Sequence, residues 1–313
     1  MKSSAASFAG QGRLNRSAAY ASIAVAALLV VLKGWAAWST GSTAMLGSLA
    51  DTALDLIASL VTLAGVWVAA MPDDEKHRFG HGKAEALSAM FQVTLISISA
   101  IGLAARAIEQ FVAGGRTGAA GEGIAVSVVA MVATAILLAW QRYVIRRTDS
   151  LAIATDHVHY QSDLLLNLAV IAALVLDQYF GWRGADPLFG LLIAGWLGWG
   201  AWGASQEAID HLMDREWPQD KKDRFLAVLG RHPELRGVHD LRTRTSGNRD
   251  FVQFHVWVDR TMTVAQAHDV MDEIEAKLLS EFPGIEILIH PDPEGHVDGG
   301  RGSTDILSHP ELA

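Results

Sequence analysis

An apolar segment from about Ala44 to Ala70 contains the stretch Ser48-Leu49-Ala50-Asp51-Thr52-Ala53-Leu54-Asp55. A second apolar segment, from about Leu151 to Leu176, contains His159-Tyr160-Gln161-Ser162-Asp163. Both exceed the ~20 residues that an α-helix needs to cross a bilayer, so both are predicted to span a membrane. A charged side chain at bilayer depth costs several kcal/mol, and the carboxylates in these segments therefore need partners.

The ionisable residues in these two segments have the same spacing. Asp51 and Asp55 are four residues apart, as are His159 and Asp163. Residues at that spacing share one face of a helix, so each helix can direct two side chains to a common point. Carboxylates and an imidazole suit a tetrahedral site for a divalent transition metal such as Zn²⁺. The alternative is that they are ordinary polar groups that form interhelical hydrogen bonds or reach the membrane surface.

Composition places the chain among membrane proteins. Half of its 313 residues are hydrophobic, and the mean hydropathy is positive, which is unusual for a soluble chain of this size. Four more segments are long and apolar enough to span, at about Ser17 to Trp38, Ala84 to Val112, Gly123 to Ile145 and Asp186 to Ala208. We therefore predict a short N-terminal segment (1–16) followed by six transmembrane helices (17–213).

The charge distribution predicts orientation and excludes some partners. Cytoplasmic loops carry an excess of Lys and Arg. With the N-terminus inside, that face receives Lys2, Arg13, Arg16, Lys76, Arg78, Lys83, Arg142, Arg146 and Arg147, and the other face only Arg116 and Arg183. Both termini are then cytoplasmic. The net charge of −9 comes largely from the part after the last span, which argues against nucleic acid as a partner. The chain has no cysteine, which excludes disulfides and thiolate metal sites.

A water-soluble α+β domain is predicted for residues 214–293, where long apolar runs give way to shorter periods. The predicted elements are a helix from Pro218 to Arg231, strands His239 to Thr245 and Phe251 to Val258, a helix from the N-cap Thr263 to Glu281, and a strand from Gly284 to His290. We expect Pro291-Asp292-Pro293 to end the last strand, because proline cannot donate to a ladder. Residues 294–313 have no periodic pattern and are predicted to be disordered.

Two more groups of residues are candidate metal ligands. The soluble domain contains His239, His255, His268 and His290 with Asp292, which could bind one or two metal ions. Each alone would more often be an ordinary polar residue. The loop after the second span contains Asp74, His77 and His81, but Arg78 stands where a zinc protease would need glutamate. An ordinary charged loop is the alternative there.

Several stretches resemble the cation diffusion facilitator family, specifically its bacterial zinc and ferrous-iron efflux branch. The matching stretches are Ser48–Asp55, His77–Glu85, His159–Asp163 and His239–Arg244, and the resemblance extends almost from the start of the chain to Asp292. It implies a homodimeric divalent-metal/proton antiporter of the bacterial inner membrane. It also implies six transmembrane helices and a ferredoxin-like, metallochaperone-like cytoplasmic domain.

The resemblance also implies roles for individual residues. It implies a transport site of Asp51, Asp55, His159 and Asp163, a loop site of Asp74, His77 and His81, a cytoplasmic binuclear site of His239, His255, His268, His290 and Asp292, and a salt bridge of Lys83 with Asp214 near the dimer interface. The expected cargo is Zn²⁺, with Cd²⁺, Fe²⁺, Co²⁺ and Mn²⁺ as alternatives. Protons are the expected counter-ion and membrane lipid the surroundings.

Two other functional classes are alternatives to transport. An intramembrane metallohydrolase needs a general base beside an open metal position, and the sequence contains no His-Glu-x-x-His pattern. A metal-sensing membrane receptor without transport would explain the cytoplasmic histidines. It would leave Asp51, Asp55 and Asp163 without a role at bilayer depth. We therefore expect a secondary transporter and not an enzyme.

Overall fold

The computed structural model describes residues 2–40, 43–112, 124–181, 184–231, 236–247, 249–282 and 284–296. Its first part is helical, with α1 (Lys2–Thr40), α2 (Thr43–Ala69), α3 (Ala84–Val112), α4 (Ile124–Thr148), α5 (Leu151–Phe180) and α6 (Ala185–Leu212). Its second part contains α7 (Gln219–Leu229), β1 (Arg236–Ser246), β2 (Arg249–Val258), α8 (Val264–Glu281) and β3 (Ile285–Pro293). The predicted fold class and element order are confirmed. Gly123 and most of the predicted tail, residues 297–313, lie outside the described residues.

The chain forms two compact units. Among the described residues, the helical unit comprises 10–212, and the other unit comprises those from 213 to 296 together with 2–9. Within the described residues, the five helices α1, α2, α3, α4 and α6 are each long and apolar enough to cross a membrane. Helix α5 has a similar length but carries Asp156, His157, His159 and Asp163 in its first half. These four residues are buried or half-buried within the helical unit.

The helical unit packs through small residues and exposes large apolar ones. Ala18, Ala89 and Ala201 are buried, whereas Ile101 and Trp199 are largely exposed. Small side chains let helix backbones approach closely in a membrane, and outward-facing apolar side chains suit lipid. This is the distribution expected for a bundle in a bilayer.

Helix α1 is longer than the sequence predicted, because it begins at Lys2 rather than at Ser17. Hydropathy marks only the part of a helix that can enter lipid. The preceding residues are rich in alanine and serine and contain no proline, so nothing interrupts the backbone hydrogen bonds of the helix before the apolar part starts.

The second unit is a three-stranded sheet with two helices on one face. The strand order is β1-β2-β3, with β2 antiparallel to β1 and parallel to β3. Its core contains Phe225 from α7, Phe254 from β2, and Ile274 and Leu278 from α8, all completely buried. Thr263 caps α8 through a capping box with Gln266, as its position predicts. The helices leave the other face of the sheet for polar side chains.

The predicted end of β3 was wrong, because the strand continues through Pro293 instead of stopping at His290. Pro291 pairs with Val256, and Pro293 pairs with Val258. The amide of Glu294 donates to the carbonyl of Val258 on β2 at 2.8 Å, so the amide of Asp292, two residues earlier, also points toward β2. Pro291 and Pro293 alternate with these residues. The N–H groups that the two prolines lack would therefore have pointed away from β2, at the edge of the sheet.

Candidate metal sites

Three predicted transport ligands meet inside the helical unit. Nε2 of His159 on α5 lies 2.9 Å from Oδ1 of Asp55 on α2. Asp163, one turn further along α5, completes a group whose ligand atoms all lie within 4.8 Å of one another. The side chains of His159 and Asp55 are only 10% and 18% exposed. We call Asp55, His159 and Asp163 the transport triad; two carboxylates and an imidazole are ligands that Zn²⁺ accepts.

The fourth predicted ligand, Asp51, is placed differently. It is exposed, and it does not belong to the triad formed among the described residues. Asp51 precedes Asp55 by one turn, which is about 6 Å along the helix axis. The two aspartates share a face of α2, but only Asp55 lies at the level of His159.

Tyr160 fixes the helices around the triad. Its side chain is buried, and its hydroxyl donates to the carbonyl of Ser22 at 3.2 Å. The same hydroxyl lies 2.8 Å from Oγ of Ser59, which follows Asp55 by one turn on α2. Helices α1, α2 and α5 are therefore tied together beside the ligands, so that the carboxylate and the imidazole are held in place.

Strand register assembles the predicted cytoplasmic ligands. His239 on β1 pairs with His255 on β2, and His255 pairs with His290 on β3. Their neighbouring rings lie 5.2 Å and 4.7 Å apart between centroids. Asp292 is buried, with Oδ2 at 2.8 Å from Nδ1 of His255 and 3.3 Å from Nε2 of His239. We call His239, His255 and Asp292 the cytoplasmic cluster, since their ligand atoms lie within 4.8 Å; His290 lies at its edge, 3.5 Å from Oδ1 of Asp292.

The hydrogen bonds of His239 fit a metal ligand. Its Nδ1 lies 2.7 Å from the carbonyl of Gly237. A carbonyl can only accept, so Nδ1 donates to it and Nε2 is the nitrogen left to present a lone pair to a metal ion. That Nε2 is buried and makes no hydrogen bond to any described residue. An orphaned ring nitrogen that faces a carboxylate is what a metal ion would satisfy.

His268 lies away from the cytoplasmic cluster. It is exposed on α8, where its Nδ1 lies 3.3 Å from Oδ1 of Asp272. The seam of α8 packs against the side of the sheet that carries Phe254, whereas His255 alternates with Phe254 and faces the other side. A single chain therefore does not bring His268 to the other three histidines, and its role as a ligand stays a prediction.

The three predicted loop ligands lie together. Oδ1 of Asp74 accepts from the backbone amides of His77 at 2.7 Å and Lys76 at 2.8 Å. The amide of His77 makes the larger contribution and that of Lys76 the smaller one, and together they hold the pKa of Asp74 below its ordinary value of 3.8. Nδ1 of His77 and Nε2 of His81 lie 3.4 Å and 3.5 Å from its carboxylate. We call Asp74, His77 and His81 the loop cluster; Asp74 and His77 are exposed, so any ion there would be in contact with water.

Lys83 and Asp214 each have a contact in their own unit. Nζ of Lys83 donates to the carbonyl of Leu212 at 3.1 Å. Oδ1 of Asp214 lies 3.4 Å from Nη1 of Arg244. The salt bridge between Lys83 and Asp214 stays a prediction.

Comparison with known proteins identifies the family. The cation efflux transmembrane domain matches residues 19–213, and the cytoplasmic domain of cation efflux proteins matches residues 217–294. The chain belongs to the cation efflux family. This is the cation diffusion facilitator family that the sequence predicted, and the prediction is confirmed.

Named relatives of this cation efflux protein cover nearly all of it. The cation-efflux pump FieF of Klebsiella pneumoniae is 41% identical over 290 residues, which are 93% of this chain and 96% of that one. FieF of Cronobacter sakazakii is 42% identical over 282 residues, which are 90% and 94% of the two chains. Among solved structures, the metal-bound C-terminal domain of the CzcD transporter from Thermotoga maritima is 32% identical and covers 25% of this chain and 93% of that one, with a TM-score of 0.24. The protein is thus a multi-pass membrane protein of a family of cation exporters.

A buried carboxylate near the triad was missed by sequence reasoning. Asp156 is completely buried three residues before His159. Its Oδ2 accepts from Ser22 at 2.6 Å and Gln141 at 2.8 Å, and its Oδ1 accepts from Gln92 at 2.9 Å. The signal was available, since an acidic residue in an apolar segment needs partners. These bonds tie α5 to α1, α3 and α4 close to the ligands.

Two further charged residues beside the sites were also missed. Nζ of Lys33 on α1 donates to Oγ1 of Thr52 at 2.6 Å. Oδ2 of Asp240 lies 3.7 Å from Nε2 of His255. Lys33 could have been noticed because it lies inside a predicted span. Asp240 directly follows His239, but a strand bulge between His239 and Arg242 shifts the pairing there, and no sequence pattern indicated it.

Proposed function

We propose that this protein exports a divalent metal cation from the cytoplasm in exchange for protons, with Zn²⁺ as the first candidate cargo. The observation that carries the proposal is the transport triad, in which Asp55 and His159 from two long apolar helices lie 2.9 Å apart. Membership of the cation efflux family supports the direction of transport. Asp51 is kept as the fourth ligand, because it lies on the same face of α2 as Asp55. Cd²⁺, Fe²⁺, Co²⁺ and Mn²⁺ accept similar ligands and are alternative cargoes.

The chemistry of the ligands supports protons as the proposed counter-ion. An imidazole or a carboxylate binds a metal through the lone pair that would otherwise hold a proton, so metal arrival releases protons. Protons that reach the same atoms from the other side of the membrane oppose rebinding of the metal. If the triad opens to one side at a time, inward proton flow drives metal outward. The excess of Lys and Arg on one set of loops supports cytoplasmic termini. The bacterial relatives support an inner membrane location.

The cytoplasmic cluster is proposed to regulate transport rather than to carry the cargo. Zinc bound by His239, His255 and Asp292, with His290 and His268 as further predicted ligands, would stabilise one arrangement of the soluble domains in a homodimer. The buried, orphaned Nε2 of His239 supports metal binding there. The loop cluster is proposed as a third, solvent-accessible site. Lys83 and Asp214 are proposed to pair near the dimer interface.

The decisive experiment measures metal flux in sealed proteoliposomes. The parent protein, Asp55→Ala and the control Glu109→Gln are reconstituted with an imposed pH gradient and tested with several metals. Glu109 is an exposed acidic residue of α3 outside the three clusters, so the control removes one negative charge without touching the triad. We expect gradient-dependent flux in the parent and the control, and none in Asp55→Ala.

Two outcomes would overturn the proposal. Equal flux in Asp55→Ala and the parent would show that the triad is not the transport site. Metal binding by the cytoplasmic cluster without any flux in the parent would instead favour the metal-sensing receptor.

A further inference from the structure

Lys33 is a positively charged residue in an apolar helix beside the transport triad. It lies in the part of α1, Gly10–Ser39, that is apolar enough to span a membrane, and it is half-buried. Its Nζ donates to Oγ1 of Thr52, which is buried and itself donates to the carbonyl of Ser48 at 3.0 Å. A hydroxyl supplies a hydrogen bond but no opposite charge. An ammonium at this depth therefore needs negative charge nearby.

The negative charge near Lys33 belongs to the predicted transport site. Thr52 precedes Asp55 by three residues on α2, so the two side chains lie on one face of that helix. The ammonium of Lys33, which contacts Thr52, therefore lies about one turn of α2 from a carboxylate that would hold the metal ion. Opposite charges attract and like charges repel more strongly where water is excluded.

We propose that Lys33 sets how tightly the transport site holds its divalent cation, and that its ammonium promotes release of that cation. The inference rests on the proposed transport function. A bound dication is repelled by the ammonium, and the emptied carboxylates keep a partial counter-charge after the dication has left. In the predicted orientation, Lys33 precedes Ser39, the outer end of the apolar part of α1, by about 9 Å along the helix axis. It therefore lies toward the side from which cargo leaves.

A purely positional role would depend on the hydrogen bond and not on the charge. Lys33→Gln keeps a donor that can reach toward Thr52 but removes the charge. Thr52→Ala keeps the charge of Lys33 and removes the hydroxyl. Lys33→Arg keeps a positive charge but places it on a guanidinium group of different shape. We expect Lys33→Gln to bind Zn²⁺ at the transport site about tenfold more tightly than the parent, because one repulsive charge has gone. Thr52→Ala and Lys33→Arg should stay within about threefold of the parent.

The test uses full-length protein in nanodiscs, titrated with Zn²⁺ against a fluorescent chelator. Each variant is compared with the same variant carrying Asp55→Ala, so that the difference isolates the transport site from the other two clusters. Flux in proteoliposomes then separates KM from kcat. We expect Lys33→Gln to lower both, since tighter binding slows release.

Unchanged or weaker transport-site binding in Lys33→Gln would overturn the inference, as would an equal effect of Thr52→Ala. If Lys33→Gln is not recovered as folded protein, Lys33→Met is titrated in the same way and decides by the same criteria. Failure of the proposed function looks different, because the parent itself would then show neither Asp55-dependent binding nor Asp55-dependent flux.

Discussion

Replacing His239 by alanine should remove most of the stabilisation that zinc gives to the cytoplasmic sheet. Nε2 of His239 is buried and lies 3.3 Å from Oδ2 of Asp292, so the change leaves His255 and Asp292 as the remaining members of the cluster. Even residues that only support a ligand alter metal affinity by about 10–100-fold. We therefore expect a loss of about 100-fold for the ligand itself.

The loss of affinity converts into a measurable free energy. At a zinc concentration of 100 times the parental Kd, the parent gains about 2.7 kcal/mol of stability. The variant is then at its own Kd and gains about 0.4 kcal/mol, so the expected difference is about 2.3 kcal/mol. Each protein is compared with its own zinc-free form, which removes any direct cost of the substitution.

Hydrogen exchange of the full-length protein measures this difference. Amides of β1 and β2 report the free energy of opening with and without zinc. His296→Ala serves as the control, because His296 lies in the same unit but outside the cytoplasmic cluster. Equal protection of the two strands by zinc in the parent and in His239→Ala would refute the assignment of this imidazole as a ligand.

Three more predictions follow from the described contacts. Phe254→Ala should destabilise the soluble unit by about 3–5 kcal/mol, because Phe254 is completely buried. Denaturant unfolding measures the change in the free energy of unfolding, and a loss below about 1 kcal/mol would contradict close packing. Gly237→Ala should weaken the protection that zinc gives to the amides of β1, since Gly237 has φ +58 and an added Cβ would lie 2.1 Å from an indole ring. The control is Gly203→Ala on α6, where nothing lies within 4 Å of the added Cβ, and it should behave as the parent. The turn at Asp74 should be stable at pH values above 3.8, the ordinary pKa of the carboxyl group, and be lost as the pH falls through the lower pKa that Asp74 has in the folded protein. The amide resonance of His77 reports this loss during a pH titration. A midpoint above 3.8 would contradict the hydrogen bonds to Asp74.

Much of the fold could be predicted from periodicity. Long apolar segments marked the spans, and α3, from Ala84 to Val112, has the predicted limits. Alternation along β2 placed Phe254 in the core and His255 on the opposite face, and Phe254 is indeed completely buried. The capping position of Thr263 was readable because a hydroxyl three residues before Gln266 satisfies the first amides of a helix.

The sequence could not supply the axial level of one helix against another. Spacing puts Asp51 and Asp55 on one face, yet only Asp55 lies beside His159. Which turn of α2 faces which turn of α5 depends on packing across the bundle. The alignment of three histidines across β1, β2 and β3 depends similarly on strand register and on a bulge, which are tertiary properties.

Parallel pairing of β3 with β2 delays completion of the cytoplasmic cluster during synthesis. Two parallel strands need a crossover, here α8, before they can meet. Asp292, which faces the imidazoles of His239 and His255, arrives on the last strand. A growing polypeptide therefore lacks one member of the cluster until β3 has been made. By then all six long helices have already been made, so the cluster can be completed only after the helical unit has been synthesised.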